Sequence, residues 1–357
     1  MTYKIITILG ARPQFIKASV LSKKISEKKN LEEFIVHTGQ HFDSNMSDIF
    51  FNELQIPKPF KNLNIGGGTH GENTGRMIEE VERLIIKLRP DLMIVYGDTD
   101  STLAGAISAA KLELPIMHIE AGLRSFNRSM PEEINRVVAD HLSNYLITPS
   151  EGAVANLIKE GINQSKIYNF GDIMLESSLQ NLEIASKHSK LLGWIEGQNN
   201  FYLLTIHRPE NTNNKKNMLE IFSALEELNE KVIFPIHPRT KSYIERSKIK
   251  LPKNVIQVEP MGYFDFLISI KMAKKVITDS GGVQKESFFL NTPCITIRKE
   301  TEWTELLDVG ANILTNAKKE EILQAVKAEQ TFSGETVYGT GNTSEEIVRF
   351  IRNELVR

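Results

Sequence analysis

Short apolar runs alternate with amphipathic stretches along nearly the whole chain, and this alternation constrains the fold more than any other feature. The runs 3–9, 34–37, 92–96, 116–119 and 145–148 read as buried parallel strands. Between them, 14–28, 73–88, 101–111, 131–142 and 151–160 carry helical periodicity. The pattern then restarts. Strands are read at 201–206, 232–235, 255–258, 275–278 and 294–297, with helices at 217–228, 264–272, 283–289 and 318–327. Strand–helix–strand alternation of this kind builds parallel α/β sheets with right-handed crossovers. The chain thus divides into two similar halves, although no sequence repeat links them.

A chain of 357 residues has room for two such domains. The expected first domain covers 1–170 and is joined by a terminal helix over 343–357; the second covers 171–342. A long helix read over 172–192 and a polar, turn-rich stretch at 193–200 lie near that division. Lysine and arginine number 43 against 45 aspartates and glutamates, a net charge of −2, which excludes a strongly basic nucleic-acid binder. The single cysteine, Cys294, excludes an internal disulfide and a cysteine-based zinc site, and reads as core packing. The N-terminal apolar stretch is short and lacks the charged start and cleavage site of a signal peptide. No run approaches the ~18 apolar residues of a membrane span. The expectation is a cytoplasmic protein without membrane association.

In open parallel sheets ligands sit beyond the carboxyl ends of the strands, so the polar residues there carry the functional reading. The first strand runs into Gly10-Ala11-Arg12-Pro13, where Arg12 offers a planar fork to an anion or merely caps a turn. Gly97-Asp98-Thr99-Asp100-Ser101 opens a helix; capping explains one acid, and the surplus points to a role for Asp98. Glu120 comes directly after a buried strand, with Ala121 and Gly122 leaving room beside it. In Met130-Pro131-Glu132-Glu133 the acids suit a helix start, yet Asp98, Glu120 and Glu132 at one edge also make a shared acid/base site. The second half supplies His207-Arg208 and His237-Pro238-Arg239 at successive strand ends, suited to a diphosphate. Asp279-Ser280-Gly281-Gly282 then exposes backbone N–H groups at a helix N-terminus, which makes either a phosphate seat or a plain tight turn. Glu286 stands one turn further on, in reach of ribose hydroxyls. Gly66-Gly67-Gly68-Thr69-His70-Gly71 with Asp91 mimics a dinucleotide fingerprint, but it lies outside the first strand-to-helix turn and fits a lid or loop better.

Taken in order, Gly10-Ala11-Arg12-Pro13, Gly97-Asp98-Thr99, His118-Ile119-Glu120-Ala121-Gly122-Leu123-Arg124, Pro131-Glu132-Glu133-Ile134-Asn135-Arg136, His207-Arg208 and Asp279-Ser280-Gly281-Gly282-Val283-Gln284 resemble the non-hydrolysing UDP-N-acetylglucosamine 2-epimerase family across essentially the whole chain. The resemblance implies two Rossmann-like domains facing across a cleft, a B-type glycosyltransferase-like fold, usually as a homodimer. It implies an isomerase that needs no metal or redox cofactor. The implied substrate is a UDP-2-acetamido sugar, from which UDP is eliminated to leave a 2-acetamidoglycal and then added back, for cell-surface polysaccharide synthesis. Carried over by motif, Asp98, Glu120 and Glu132 form the acid/base set, and His207 stabilises the leaving diphosphate. Arg12, Ser280 and Gly281, with Gly282 beside them, match phosphate contacts. Glu286 matches a ribose contact, and Phe266 with Met261 the uracil pocket. Lys17, Arg136 and Arg208 complete the implied binding set, Arg136 orienting the sugar or the carboxylates.

Two departures bear on substrate and regulation. In Thr301-Glu302-Trp303-Thr304-Glu305, Trp303 stands where the family commonly has arginine. This resembles members that act on modified UDP-2-acetamido sugars, with Arg298 or Lys299 placed to restore the charge. Gln40-His41-Phe42-Asp43-Ser44 lacks the second glutamine of a Gln-His-x-x-Gln segment through which some bacterial members are activated by substrate. A glycosyltransferase, a hydrolysing epimerase and a non-catalytic nucleotide-sugar binder on the same fold are the competing readings.

Overall fold

A computed structural model of the chain describes residues 2–39, 56–189, 191–332 and 337–355. The segment Gln40-His41-Phe42-Asp43-Ser44 and positions 356–357 of the expected terminal helix lie outside the described residues. Two compact units emerge: Met1–Ser177 with Glu335–Arg357, and Ser178–Gly334.

The first unit is built on β1 (Tyr3–Leu9), β2 (Leu31–His37), β3 (Lys61–Asn62), β4 (Leu92–Tyr96), β5 (Ile116–Ile119), β6 (Tyr145–Thr148) and β7 (Ile167–Asn169). They form one sheet in the order β3-β2-β1-β4-β5-β6-β7, with every pairing parallel. The crossovers are α1 (Arg12–Ser26), α2 (His70–Leu88), α3 (Asp100–Lys111), α4 (Pro131–Leu142) and α5 (Glu151–Lys159). A sixth helix, α6 (Ile173–His188), contains the division between the units. β4 and β5 are buried at every position, as strands covered by helices on both faces must be. Ile6, Ile8, Val36, Met93, Val95 and Ile116 pack against Val81, Leu84 and Ile85 of α2.

The second unit repeats the plan. Its strands are β8 (Phe201–Thr205), β9 (Lys231–Pro235), β10 (Val255–Val258), β11 (Val276–Thr278), β12 (Cys294–Ile297) and β13 (Asn312–Thr315), in the parallel order β10-β9-β8-β11-β12-β13. The helices are α7 (Leu192–Glu196), α8 (Pro209–Thr212), α9 (Lys215–Glu227), α10 (Pro238–Arg246), α11 (Tyr263–Met272), α12 (Gly281–Phe289), α13 (Thr304–Asp308) and α14 (Lys319–Lys327). Leu204, Phe234, Ile277 and Ile295 of the sheet meet Met218, Ile221, Phe222 and Leu225 of α9 and Ile322 of α14. Cys294 is buried on β12, where burial raises its thiol to about 12, so it stays a neutral packing group.

In each sheet the strand order reverses once, between β1 and β4 and between β8 and β11. The crevice outside the carboxyl ends at such a switch point is where doubly wound sheets bind ligands. The final helix, α15 (Thr343–Phe350), belongs to the first unit. The buried Glu176 carboxylate accepts from the Ser344 amide at 2.7 Å and its hydroxyl at 2.5 Å, and Phe350 packs on Tyr145 and Tyr168. No described helix is long and apolar enough to cross a membrane.

Candidate active site

At the first switch point, Gln14 of α1 joins the two strand ends. Its side-chain carbonyl accepts from the amides of Gly10 (2.7 Å) and Ala11 (3.0 Å), while its NH2 donates to the Tyr96 carbonyl (2.8 Å) and to Thr99 Oγ1 (3.0 Å). Thr99 caps α3 by accepting from Thr102 N. The cap is therefore neither of the flanking aspartates. Asp100 is buried, paired with His70 at 2.8 Å and bonded by Asn135 at 3.1 Å. Asp98 is left part-exposed and takes an ion pair from Arg136 of α4. Asn135 also donates to the Asp98 carbonyl at 2.9 Å, so two residues of one helix hold the aspartate turn.

Glu120 leaves β5 in the left-handed region, φ 68°. Its carboxylate pairs with Lys17 of α1, both side chains 9% exposed. Lys17 thus meets a carboxylate, a placement its position in the sequence did not disclose. Of the two acids in the first turn of α4, Glu132 points outward, and among the described residues no hydrogen bond or ion pair is formed by it. Glu133 is the buried one. It accepts from Ser125 N (2.8 Å), Ser125 Oγ (2.9 Å) and Phe126 N (2.9 Å), and from Arg136 at 3.1 Å. Burial alone would raise its pKa; the Ser125 bonds, Arg136 and the Phe126 amide outweigh that and hold it below the usual carboxylate range. Glu133 therefore fixes the guanidinium that faces Asp98. Arg12 opens α1 at this same edge, part-exposed.

The second switch point has its own clamp. Asp279, fully buried after β11, accepts from the amides of His207 and Arg208, each at 3.0 Å, and from Asn211 Nδ2 at 3.1 Å. The loop after β8 is thereby tied to the loop after β11. The His207 ring stands half-exposed, its Nδ1 3.3 Å from Asp279. Burial lowers the His207 pKa most; Asp279 opposes it, and Arg208 and His237 add to the lowering. His237 has a structural occupation, its Nδ1 accepting from Arg239 N to cap α10. Ser280 precedes α12 without a side-chain cap, and Gly281 and Gly282 form its first turn. The first-turn amides of a helix have no intrahelical acceptor, and the dipole there favours an anion. Glu286 is buried further along the same helix. Met261 is buried, its sulfur 3.3 Å from Ser269 Oγ, and Phe266 of α11 is half-buried in the same unit.

Trp303 is buried rather than open to ligand. Its indole N–H donates to the Gly281 carbonyl at 3.0 Å, and Lys285 Nζ lies 4.1 Å above the ring. Arg298 forms an ion pair with Glu302 at 2.9 Å. The glycine run at 66–68 ends at Thr69, which caps α2, and Asp91 holds the Lys4 amide at 2.7 Å, so a strand-edge bond occupies the acid of that apparent fingerprint.

The arrangement gives one unit the paired carboxylates of Asp98 and Glu120 just beyond its strand ends, and the other a histidine, an arginine and a helix N-terminus at the equivalent place. The family model described as UDP-N-acetylglucosamine 2-epimerase matches residues 23–352. A UDP-N-acetylglucosamine 2-epimerase homolog of Methanococcus maripaludis is 50% identical over 98% of this chain and 99% of its own length. The UDP-2,3-diacetamido-2,3-dideoxy-D-glucuronate 2-epimerase of Pseudomonas aeruginosa is 48% identical over 98% and 99%. Among solved structures, the Methanocaldococcus jannaschii UDP-GlcNAc 2-epimerase in complex with UDP-GlcNAc and UDP superposes with a TM-score of 0.89 at 44% identity, covering 99% of each chain. The two parallel-sheet domains are those of the B-type glycosyltransferase-like fold. With a family model and relatives that match over its length, this chain belongs to the UDP-N-acetylglucosamine 2-epimerase family.

Proposed function

We propose that this chain inverts C2 of a UDP-2-acetamido sugar by eliminating UDP and adding it back. The C2 hydrogen has no adjacent carbonyl, so simple deprotonation is too costly. A carboxylate takes the C2 proton, the C2–H electron pair becomes the C1=C2 double bond of the 2-acetamidoglycal, and the C1–O pair leaves with UDP. A proton then reaches C2 from the other face, and a UDP oxygen bonds C1 again. Such chemistry needs two positioned carboxyl groups and a held diphosphate. The observation that carries this reading is the pair of basic partners in the first unit, Arg136 on Asp98 and Lys17 on Glu120. Each holds a carboxylate just beyond the carboxyl end of a strand. Glu132, open to solvent there, is the third member of the set. In the second unit His207, Arg208 and the Ser280–Gly282 turn hold the diphosphate, Glu286 the ribose, and Met261 with Phe266 the uracil; Arg12 is the anion contact of the first unit.

The substrate class includes UDP-N-acetylglucosamine and its modified analogues, and we place the enzyme in the cytoplasm as a homodimer. The test is turnover in D2O of UDP-N-acetylglucosamine and of UDP-2,3-diacetamido-2,3-dideoxy-glucuronate, read by NMR. Deuterium at C2 of a product that still carries UDP is the expected result. Free sugar plus UDP marks a hydrolysing enzyme, transfer to an acceptor without C2 exchange a glycosyltransferase, and binding without exchange a non-catalytic protein.

A further inference from the structure

His118 takes no part in the proton chemistry above, yet it is wholly buried beside the residues that do. It lies on β5, two positions before Glu120. Its Nδ1 is 2.7 Å from Asp140 Oδ1 and its Nε2 is 2.7 Å from the Gly97 carbonyl. Both neighbours are acceptors, so the ring is held between the Asp140 carboxylate on one side and the Gly97 carbonyl on the other. The other Asp140 oxygen accepts from the Gly122 amide at 3.1 Å and from Arg124 at 2.7 Å, and Arg124 forks onto Glu160 with two bonds of 2.7 Å.

One unbroken path therefore runs from the Gly97 carbonyl through His118 and Asp140 to the Gly122 amide. Gly97 immediately precedes Asp98, and Gly122 lies two residues after Glu120. The pair joins the turn that carries one carboxylate to the turn that carries the other. Both turns need holding. Gly97 (φ 61°), Glu120 (φ 68°) and Gly122 (φ 84°) all sit in the left-handed region, where the glutamate carries a steric penalty. A Cβ on Gly97 would lie 3.1 Å from the Glu120 carboxylate, so the turns also pack closely. A buried polar pair is seldom the most stable filling for such a space, and fixing a geometry is one reason to keep it.

We propose that His118 and Asp140 are positioning residues, which set the Asp98 and Glu120 turns relative to each other for the two half-reactions at C2. The proposal rests on the epimerase reading. Elimination and re-addition require carboxyl groups placed for one unstable intermediate in turn, and a displacement of about 1 Å costs about 10²-fold in rate. If the turns drift apart, re-addition slows while glycal and UDP escape.

The test uses His118→Gln, Asp140→Asn and the charge-preserving Asp140→Glu in the full chain, with whichever UDP-sugar the wild type turns over. Folded fraction, UDP affinity, kcat, KM and the ratio of released glycal to epimer are measured. The expected result is a fall in kcat per folded molecule of about 10²-fold, little change in KM or UDP affinity, and a rise in the glycal ratio. Asp140→Glu keeps the charge but shifts the carboxylate by one methylene, so it displaces the turns and covers the case in which the neutral variants do not fold. Wild-type kcat per folded molecule together with a wild-type glycal ratio in the variants would overturn positioning and leave the epimerase standing. A wild-type chain that exchanges no C2 hydrogen would overturn the epimerase reading and this proposal with it.

Discussion

His207 is half-exposed, but burial of its base and the neighbouring Arg208 and His237 keep its pKa below the ordinary histidine value, against the pull of Asp279. A diphosphate bound beside the ring reverses the balance, since an anion favours the charged form. The pKa then rises on binding, and the ring takes up a proton wherever the pH lies between its free and bound values. Affinity for UDP is accordingly highest at low pH and falls as the pH rises through that window. Calorimetry in two buffers of different ionisation enthalpy is expected to show proton uptake, and less of it in His207→Asn. Equal uptake in the two proteins would remove the histidine from the diphosphate. The histidine was legible because it stands at the end of an apolar run. Which of Glu132 and Glu133 is wired inward was not, because adjacent helical residues differ by ~100° in direction and both patterns suit a first turn. Trp303 shows a similar limit. The family resemblance pointed to a missing arginine charge, but only packing reveals an indole that braces the first turn of α12 and carries Lys285 on its face.

Among elements, central strands were read well and some edges were missed. β1, β4, β5 and β6 have the bounds that their continuous apolar runs predict. β3, β7 and β13 were not anticipated. They are short, and all three lie at sheet edges where partial exposure breaks up the apolar pattern. The first turn of α12 offers a test of its own. A Cβ on Gly282 would meet nothing within 4 Å, whereas one on Gly281 would run into the Glu302 carboxylate that pairs with Arg298. Gly282→Ala should therefore fold at least as well as the wild type, since alanine exceeds glycine in helix propensity by about 1 kcal/mol. On the proposed reading, the open space it fills is the one left for the diphosphate at the helix N-terminus. UDP affinity is expected to drop about tenfold, equivalent to ~1.4 kcal/mol. Thermal melts and calorimetry check the two halves, and a variant that binds UDP normally would move the phosphate seat elsewhere.

At the scale of the molecule, one plan is used twice and equipped differently. Each sheet has its order reversed beside its first strand, and at each reversal a single buried polar side chain ties the two loops, Gln14 in one unit and Asp279 in the other. The side chains at the strand ends differ in sign. The first unit gathers Asp98 and Glu120, the second His207 and Arg208, so a net charge of −2 averages over unlike edges. If the first unit handles the proton and the second the diphosphate, a change confined to the first should separate chemistry from binding. Asp98→Asn keeps the shape and removes one carboxylate of the acid/base set. Its C2 deuterium exchange is expected to fall by about 10²–10⁴-fold, the usual worth of a general acid or base. UDP should still raise its stability as it does in the wild type, by about 2.7 kcal/mol at a hundred times the dissociation constant. Loss of that stabilisation in Asp98→Asn would mean that the aspartate also builds the UDP site, and the two switch points would then act as one unit rather than dividing the reaction between them.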